Sequence, residues 1–372
     1  MRTFFRIYPL AAVVALTSFG FACSDGDEKD LELTEKEKTL KTINETYVKE
    51  TIIPIYKGLA DESALLRQAI EDLQNNKTDA KTVAACELWK SARKYWEWSE
   101  AFLFGAADEY SIDPHIDTWP LDRTKLETEL LTNEQKMANV ADAIVNDDKL
   151  AGFHGLEYII FREGATRPAS QISENEMRYA VAVARDLELS CYRLEAAWAG
   201  MDNVTAAKQT AIKNAGMEPE HNFGERLSDE WDGSVLSGTY QILEGFITIV
   251  DEVGGGKIGT SHFGEDEEYI ESPHAYNSIQ DFEDNITGVK FGYYGAVNAS
   301  SARTNSVSAF IKSADPAADA RIVSALDNCI SKIQAMPKPF VLNYTDPRVG
   351  EAIDACNDLI EAFTAGKSVL QE

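Results

Sequence analysis

Apolar residues recur every three or four positions through most of this chain, and nowhere do they alternate as in a half-buried strand, which restricts it to helices packed on helices. The segment from Lys81 to Gly105 is the clearest case, with Ala85, Trp89, Ala92, Trp96 and Leu103 on one face and Arg93, Glu97 and Glu100 on the other. Thr34-x-x-Glu37 and Ser173-x-x-Glu176 are capping boxes that mark helix starts. From the first, a helix carries Leu40, Ile43 and Tyr47 inward, with Pro54 placed to kink or interrupt it before Leu59 to Leu73. Asn75 to Asp79 reads as a turn, and Tyr110 to Asp122, with two prolines and no helical period, as a loop. Leu126 to Val145 and Arg178 to Trp198 are further helices.

The second half follows a similar plan. Ser237 to Val253, Ile279 to Gly295, Asp319 to Met336 and Asp346 to Leu370 match successive helices of the first half. Short connections between long amphipathic segments predict an all-α protein of two helical-bundle domains, residues 34–200 and 201–372, related by internal duplication. Gly254-Gly255-Gly256-Lys257 is not a phosphate loop, because Asp251 and Ile258 stand where that motif needs Gly and Ser or Thr; it reads as a flexible loop. Asn203 reads as a helix cap.

Arg2 and Arg6 precede an apolar stretch, Ile7 to Phe21, too short to span a membrane. Residues 1–22 are therefore expected to be a signal peptide of the lipoprotein type, since Phe21-Ala22-Cys23-Ser24 resembles a lipobox. Cys23 would then carry lipid and residues 23–33 form an acidic tether, which places the protein in the cell envelope, at the outer membrane and exposed on its surface. The formal net charge of −27 argues against nucleic acid and anionic lipid surfaces as partners and leaves cations, metal ions included. Cys86, Cys191, Cys329 and Cys356 sit in helical segments as core thiols, although an even number in an exported chain permits disulfides.

Chemistry concentrates in Gly152-Phe153-His154-Gly155-Leu156-Glu157-Tyr158-Ile159-Ile160-Phe161, where His154 and Glu157 share one helix face inside an apolar run. Asp147 or Asp148 is placed to cap this helix and Gly164 to end it. A buried imidazole and carboxylate need partners. Two alternatives stand: the pair ligates a metal, or it is a packing cluster in which Arg93 neutralises Glu157 and the histidine satisfies a backbone carbonyl. Neither HExxH nor HxxEH is present, so a complete zinc-protease motif is lacking.

Gly152-x-His154-x-x-Glu157 resembles the GxHxxE signature of the imelysin-like family, bacterial envelope proteins also classed as M75 peptidases. Arg93-x-x-Trp96-Glu97-x-Ser99-Glu100-Ala101-Phe102-Leu103-Phe104-Gly105 and Asp113-Pro114-x-Ile116-Asp117-x-Trp119-Pro120 resemble two further blocks of that family. The resemblance implies an all-helical, duplicated protein linked to iron acquisition. It implies His154 and Glu157 as metal ligands, and Arg93, Glu97, Glu100, Asp113 and Asp117 as residues of the same ligand site. One imidazole among carboxylates suits iron, with zinc as the other metal to consider. The function implied is an envelope lipoprotein that binds iron or an iron-containing ligand for an iron-transport system. The alternatives are a metallopeptidase and a structural surface lipoprotein.

Overall fold

Glu37 donates its N–H to the Thr34 hydroxyl at 3.3 Å and its carboxylate accepts the Thr34 N–H at 2.8 Å, so the first helix among the described residues starts at the capping box. The computed structural model describes residues 33–266 and 269–371. The expected signal peptide, Cys23 and residues 23–32 of the tether lie outside them. Helix α1 (Glu35–Tyr47) passes through a wide π-turn, Val48–Ile52, into α2 (Ile53–Asn75). Pro54 falls in the first turn of α2, where a residue without an N–H is tolerated.

Thr78 caps α3 (Asp79–Ser99), which ends in a 3₁₀ turn at Glu100–Phe102. The stretch 110–122, expected as a loop, contains a one-turn helix, α4 (Asp113–Asp117), with Pro114 in its first turn. The single helix expected over 126–145 is three short pieces instead, Leu126–Leu130, Glu134–Ala138 and Val140–Val145. Asn133 caps the second piece, and Asn139 leaves helical geometry between the second and third.

Helix α5 (Gly152–Ile160) has Ala151 at its N-cap, so neither Asp147 nor Asp148 caps it. It ends before Gly164, in a two-residue hairpin of β1 (Phe161–Arg162) and β2 (Ala165–Thr166), the one strand pair among the described residues. The second capping box starts α6 (Glu174–Ala199) where the sequence places it.

Thr205, not Asn203, caps Ala206–Ala215; the Asn203 amide donates back to the Ala199 carbonyl at 2.7 Å. Four long helices follow: α7 (Val235–Asp251), α8 (Ser278–Tyr294), α9 (Pro316–Gln334) and α10 (Pro347–Lys367). The glycine run expected as a flexible loop continues α7 as a π-helical segment, Glu252–Gly259, in which Lys257 is buried.

Helices α2, α3 and α6 pack together with α5 against them, and α7 to α10 form a second group. The groups join where α3 meets α8 and where α1 lies on α7. Most buried apolar residues from Leu40 to Leu370 belong to one continuous core, and Ala196, Val204 and Ile212 form a small second cluster. At the α3–α8 crossing a Cβ on Gly288 would stand 2.3 Å from the Trp98 carbonyl oxygen, so the two backbones touch. No helix among the described residues is long and apolar enough to cross a membrane. The polar residues of α3, α5 and α8 meet beside that crossing.

Candidate functional site

Gly152 explains why the buried signature begins with glycine. Its φ is +74°, and a Cβ there would lie 2.2 Å from the Ile116 carbonyl oxygen. Only a residue without a side chain lets the start of α5 rest on the end of α4, which sets His154 beside Asp117. The Trp89 indole donates to the Phe153 carbonyl at 2.9 Å, and the Tyr179 hydroxyl to that of Leu150 at 2.8 Å, fixing the helix further.

His154 Nε2 lies 2.9 Å from Glu271 Oε1 and 3.1 Å from Asp117 Oδ1, yet it is a fully buried atom with no hydrogen bond of proper geometry. Its other nitrogen, Nδ1, faces Glu157 Oε2 at 3.3 Å. Glu157 Oε1 accepts the backbone N–H groups of His274 and Ala275 at 2.7 and 2.8 Å. Both oxygens of Glu157 are thereby engaged, one by the imidazole and one by the backbone. The same carboxylate holds the turn from Ser272 to Tyr276, whose two end residues have φ of 41° and 56°.

Arg93 does not neutralise Glu157. Its guanidinium pairs with Asp117, with Glu97 at 2.6 Å and with Glu271 at 2.5 Å, all inside the protein. Trp96 on the next residue-turn donates its indole N–H to the second Asp117 oxygen at 2.7 Å. Lys257 reaches Glu100 at 2.6 Å and Glu97 at 3.5 Å, and the Asn285 amide donates to both of those carboxylates at 2.7 Å. Asp281 completes the wall on α8, 3.9 Å from Arg93.

Of the residues marked in the sequence, Arg93, Glu97, Glu100, Asp117, His154 and Glu157 come together. Asp113 does not join their contacts; it lines a separate small cleft with Phe104 and Asp108. Glu271, Asp281, Asn285 and Lys257 escaped sequence reading. Asp281 and Asn285 are one turn apart on a helix that buries most of its residues, flanked by Phe282 and Ile286, but Glu271 sits in an irregular segment without such a signal.

Six carboxylates (Glu97, Glu100, Asp117, Glu157, Glu271, Asp281) thus face two permanent cations and one imidazole in the interior. Burial pushes Glu97 up to about 7 despite Arg93 and Lys257, and raises Glu100 and Asp281 well above the carboxylate range. Burial also acts on Glu271 and Asp117 but is overridden, by Lys257, Arg93 and His154 for Glu271, which is held at about 2, and chiefly by Arg93 and His154 for Asp117. Burial alone would discharge His154; Glu271, Asp117 and Glu157 raise its pKa instead. Protons here balance an excess of negative charge that a metal cation could balance equally well.

One oxygen each from Asp117 and Glu271 and a nitrogen of His154 lie within 4.8 Å of one another. Two carboxylates and one imidazole are a donor set suited to iron, and zinc accepts it too. Arg93 touches the same two carboxylates, but each carboxylate has about four lone-pair directions, so a guanidinium and a metal ion can share them. The residues therefore fit a metal ion.

Trp119 lies over the His154 ring at a centroid distance of 4.4 Å and also walls a cleft of about 720 Å³, lined further by Arg123, Arg162, Ile270, His274 and Leu342. The cleft adjoins the cluster through Trp119 and the segment 270–276.

The family model of imelysin, peptidase M75, matches residues 52–365. Iron-regulated protein A of Synechococcus elongatus is 24% identical over 318 residues, covering 86% of this chain and 82% of that protein. A crystal structure from Parabacteroides distasonis, described as an iron-regulated protein A precursor, superposes with a TM-score of 0.77 at 26% identity, covering 91% of this chain and 97% of the other. An imelysin-like protein from Psychrobacter arcticum shares the fold, with a TM-score of 0.65 at 16% identity over 88% of this chain and 93% of its own. With the profile spanning most of the chain and its GxHxxE residues seated in a buried polar cluster, the protein belongs to the imelysin family.

Proposed function

We propose that this protein binds iron, as the ion or within a larger ligand, at Asp117, His154 and Glu271, and serves a cell-envelope iron-uptake system. The observation that carries this reading is His154 Nε2, buried without a hydrogen bond between two carboxylates that Arg93 and Lys257 keep ionised. A polar atom so placed is costly unless it has a partner. Glu157 would fix the ring tautomer through Nδ1, as a partner behind a metal-bound histidine does. Iron regulation of the Synechococcus relative supports the choice of metal. Cys23 would tether the protein to the membrane by lipid, with an iron-transport component as its partner.

The peptidase alternative needs an open metal position and a base beside a scissile bond, whereas Asp117, His154 and Glu271 supply ligands and the surrounding carboxylates are engaged by Arg93, Lys257 and Asn285.

The test is calorimetry and elemental analysis on protein purified without chelators. Wild type is expected to take up one iron, and His154→Ala and Glu271→Gln to take up none while remaining folded by circular dichroism. Stoichiometric iron in both variants would overturn the assignment.

A further inference from the structure

Nine of the twelve arginines among the described residues have a carboxylate within 4.0 Å. In a chain with 62 acidic and 35 basic residues, a guanidinium without an acidic neighbour is out of place. Of the three exceptions, Arg193 stacks on Tyr110, well away from the cluster. The other two, Arg123 and Arg162, stand together at the cleft.

Both guanidinium groups lie over the ring of Tyr158, at 5.3 and 4.6 Å from its centroid. Arg162 makes one long hydrogen bond, to the Tyr158 carbonyl at 3.4 Å, and Arg123 is exposed. The acids that line the same cleft leave them unpaired. Asp122 accepts the Lys125 N–H at 2.9 Å, Glu127 accepts the Tyr158 hydroxyl, and Glu163 lies within salt-bridge distance of neither arginine. His274, on the far wall, packs edge-on against the same tyrosine at 5.1 Å. Two like charges are thus held over one ring with their donors turned to a cavity.

The remaining lining says what shape of anion fits. Trp119 and Ile270 supply flat and apolar walls, and Leu342 is 69% exposed at the rim. A volume of about 720 Å³ is that of a pocket for an organic molecule, and a bare metal ion or phosphate would leave most of it empty. Paired guanidinium groups recognise carboxylates by parallel N–H···O bonds. The stretch 270–276 forms a wall of the cleft through Ile270 and His274 and a wall of the metal cluster through Glu271.

We propose that Arg123 and Arg162 form a carboxylate-binding subsite, which holds the organic part of a polycarboxylate metal chelate in this cleft with its metal towards Trp119 and His154. The proposal rests on the iron-binding reading for the metal, and on the cleft alone for the carboxylates. It gives the acidic protein a local means of accepting an anion that its overall charge would repel.

The experiment is isothermal titration with three probes, metal-free citrate, ferric citrate and a ferrous salt, against the full mature protein. Wild type is expected to bind all three. The double variant Arg123→Gln, Arg162→Gln should lose about 10–100-fold in affinity for both citrate forms and keep its affinity for ferrous ion. Each single variant should show the same direction to a smaller degree, which serves if the double variant folds poorly. His154→Ala should lose ferrous ion and keep metal-free citrate. Citrate binding by the double variant equal to wild type, or no citrate binding by wild type, overturns the subsite. Citrate bound through the arginines with no iron bound at all would retain the subsite and overturn the iron reading.

Discussion

Glu157 decides which nitrogen of His154 is free. With a carboxylate at Nδ1, the ring keeps its Nδ1 proton and turns the Nε2 lone pair to a metal ion held between it and the oxygens of Asp117 and Glu271. Glu157→Gln can still accept the two backbone N–H groups through its amide oxygen, but its NH₂ then faces Nδ1. The proton is driven to Nε2, the atom that must ligate. Iron affinity should fall about 10–100-fold, with a change in the histidine tautomer visible in the ¹⁵N shifts of the ring; an unchanged tautomer and affinity would make Glu157 a bystander. Gly152→Ala acts through the backbone instead. A side chain at φ +74° facing the Ile116 carbonyl should cost about 2–4 kcal/mol in urea unfolding and displace His154 from Asp117. A variant as stable as wild type would show that α5 does not need this approach to α4.

At the scale of elements, the α3–α8 crossing carries a titrating group apart from the cluster's own contacts. Asp284 on α8 accepts the Trp98 indole N–H of α3 at 3.0 Å and the Gln280 amide at 3.1 Å, and burial lifts its pKa to about 6. A carboxyl with a raised folded pKa favours the folded state while it holds its proton. That contribution is complete below the unfolded value near 3.8 and is lost as pH rises through about 6. The wild type should therefore lose about 2 kcal/mol more stability than Asp284→Asn between pH 4 and pH 7. Denaturant titrations of the two proteins at both pH values measure the difference, and equal losses would place the pH dependence elsewhere.

At the scale of the molecule, the cluster draws on both halves of the chain. Arg93, Glu97, Asp117 and His154 come from before residue 200, and Lys257, Glu271, Asp281 and Asn285 from after it. Helix α1, first among the described residues, packs on α7. A fragment of residues 34–200 would expose that face of α1 and the α8 side of α3, and would keep four buried acids without Lys257. It should bind a hydrophobic dye, show broadened amide resonances and take up no iron. A well-ordered fragment that binds iron would contradict the shared site.

Helix class, the two capping boxes and the burial of His154 and Glu157 were legible in the sequence, because helical period and capping act over a few residues and an apolar surround is visible on the same helix, whereas Arg93, Glu97 and Glu100 lie opposite the apolar stripe of their helix and are buried by distant elements. The three short pieces between 126 and 145 do not form the one helix expected, because Asn133 caps a new start and Asn139 leaves helical geometry inside a run whose apolar spacing continues. The glycine run hid Lys257 because glycine signals freedom to move, whereas here the wide helical turn it permits brings an ammonium group to Glu100. Tertiary structure alone decided that Glu271, and not Glu157, stands with Asp117 and His154, and that Arg93 serves three carboxylates at once. The energy of a buried charge depends on every partner around it, and those partners are set by how distant helices pack.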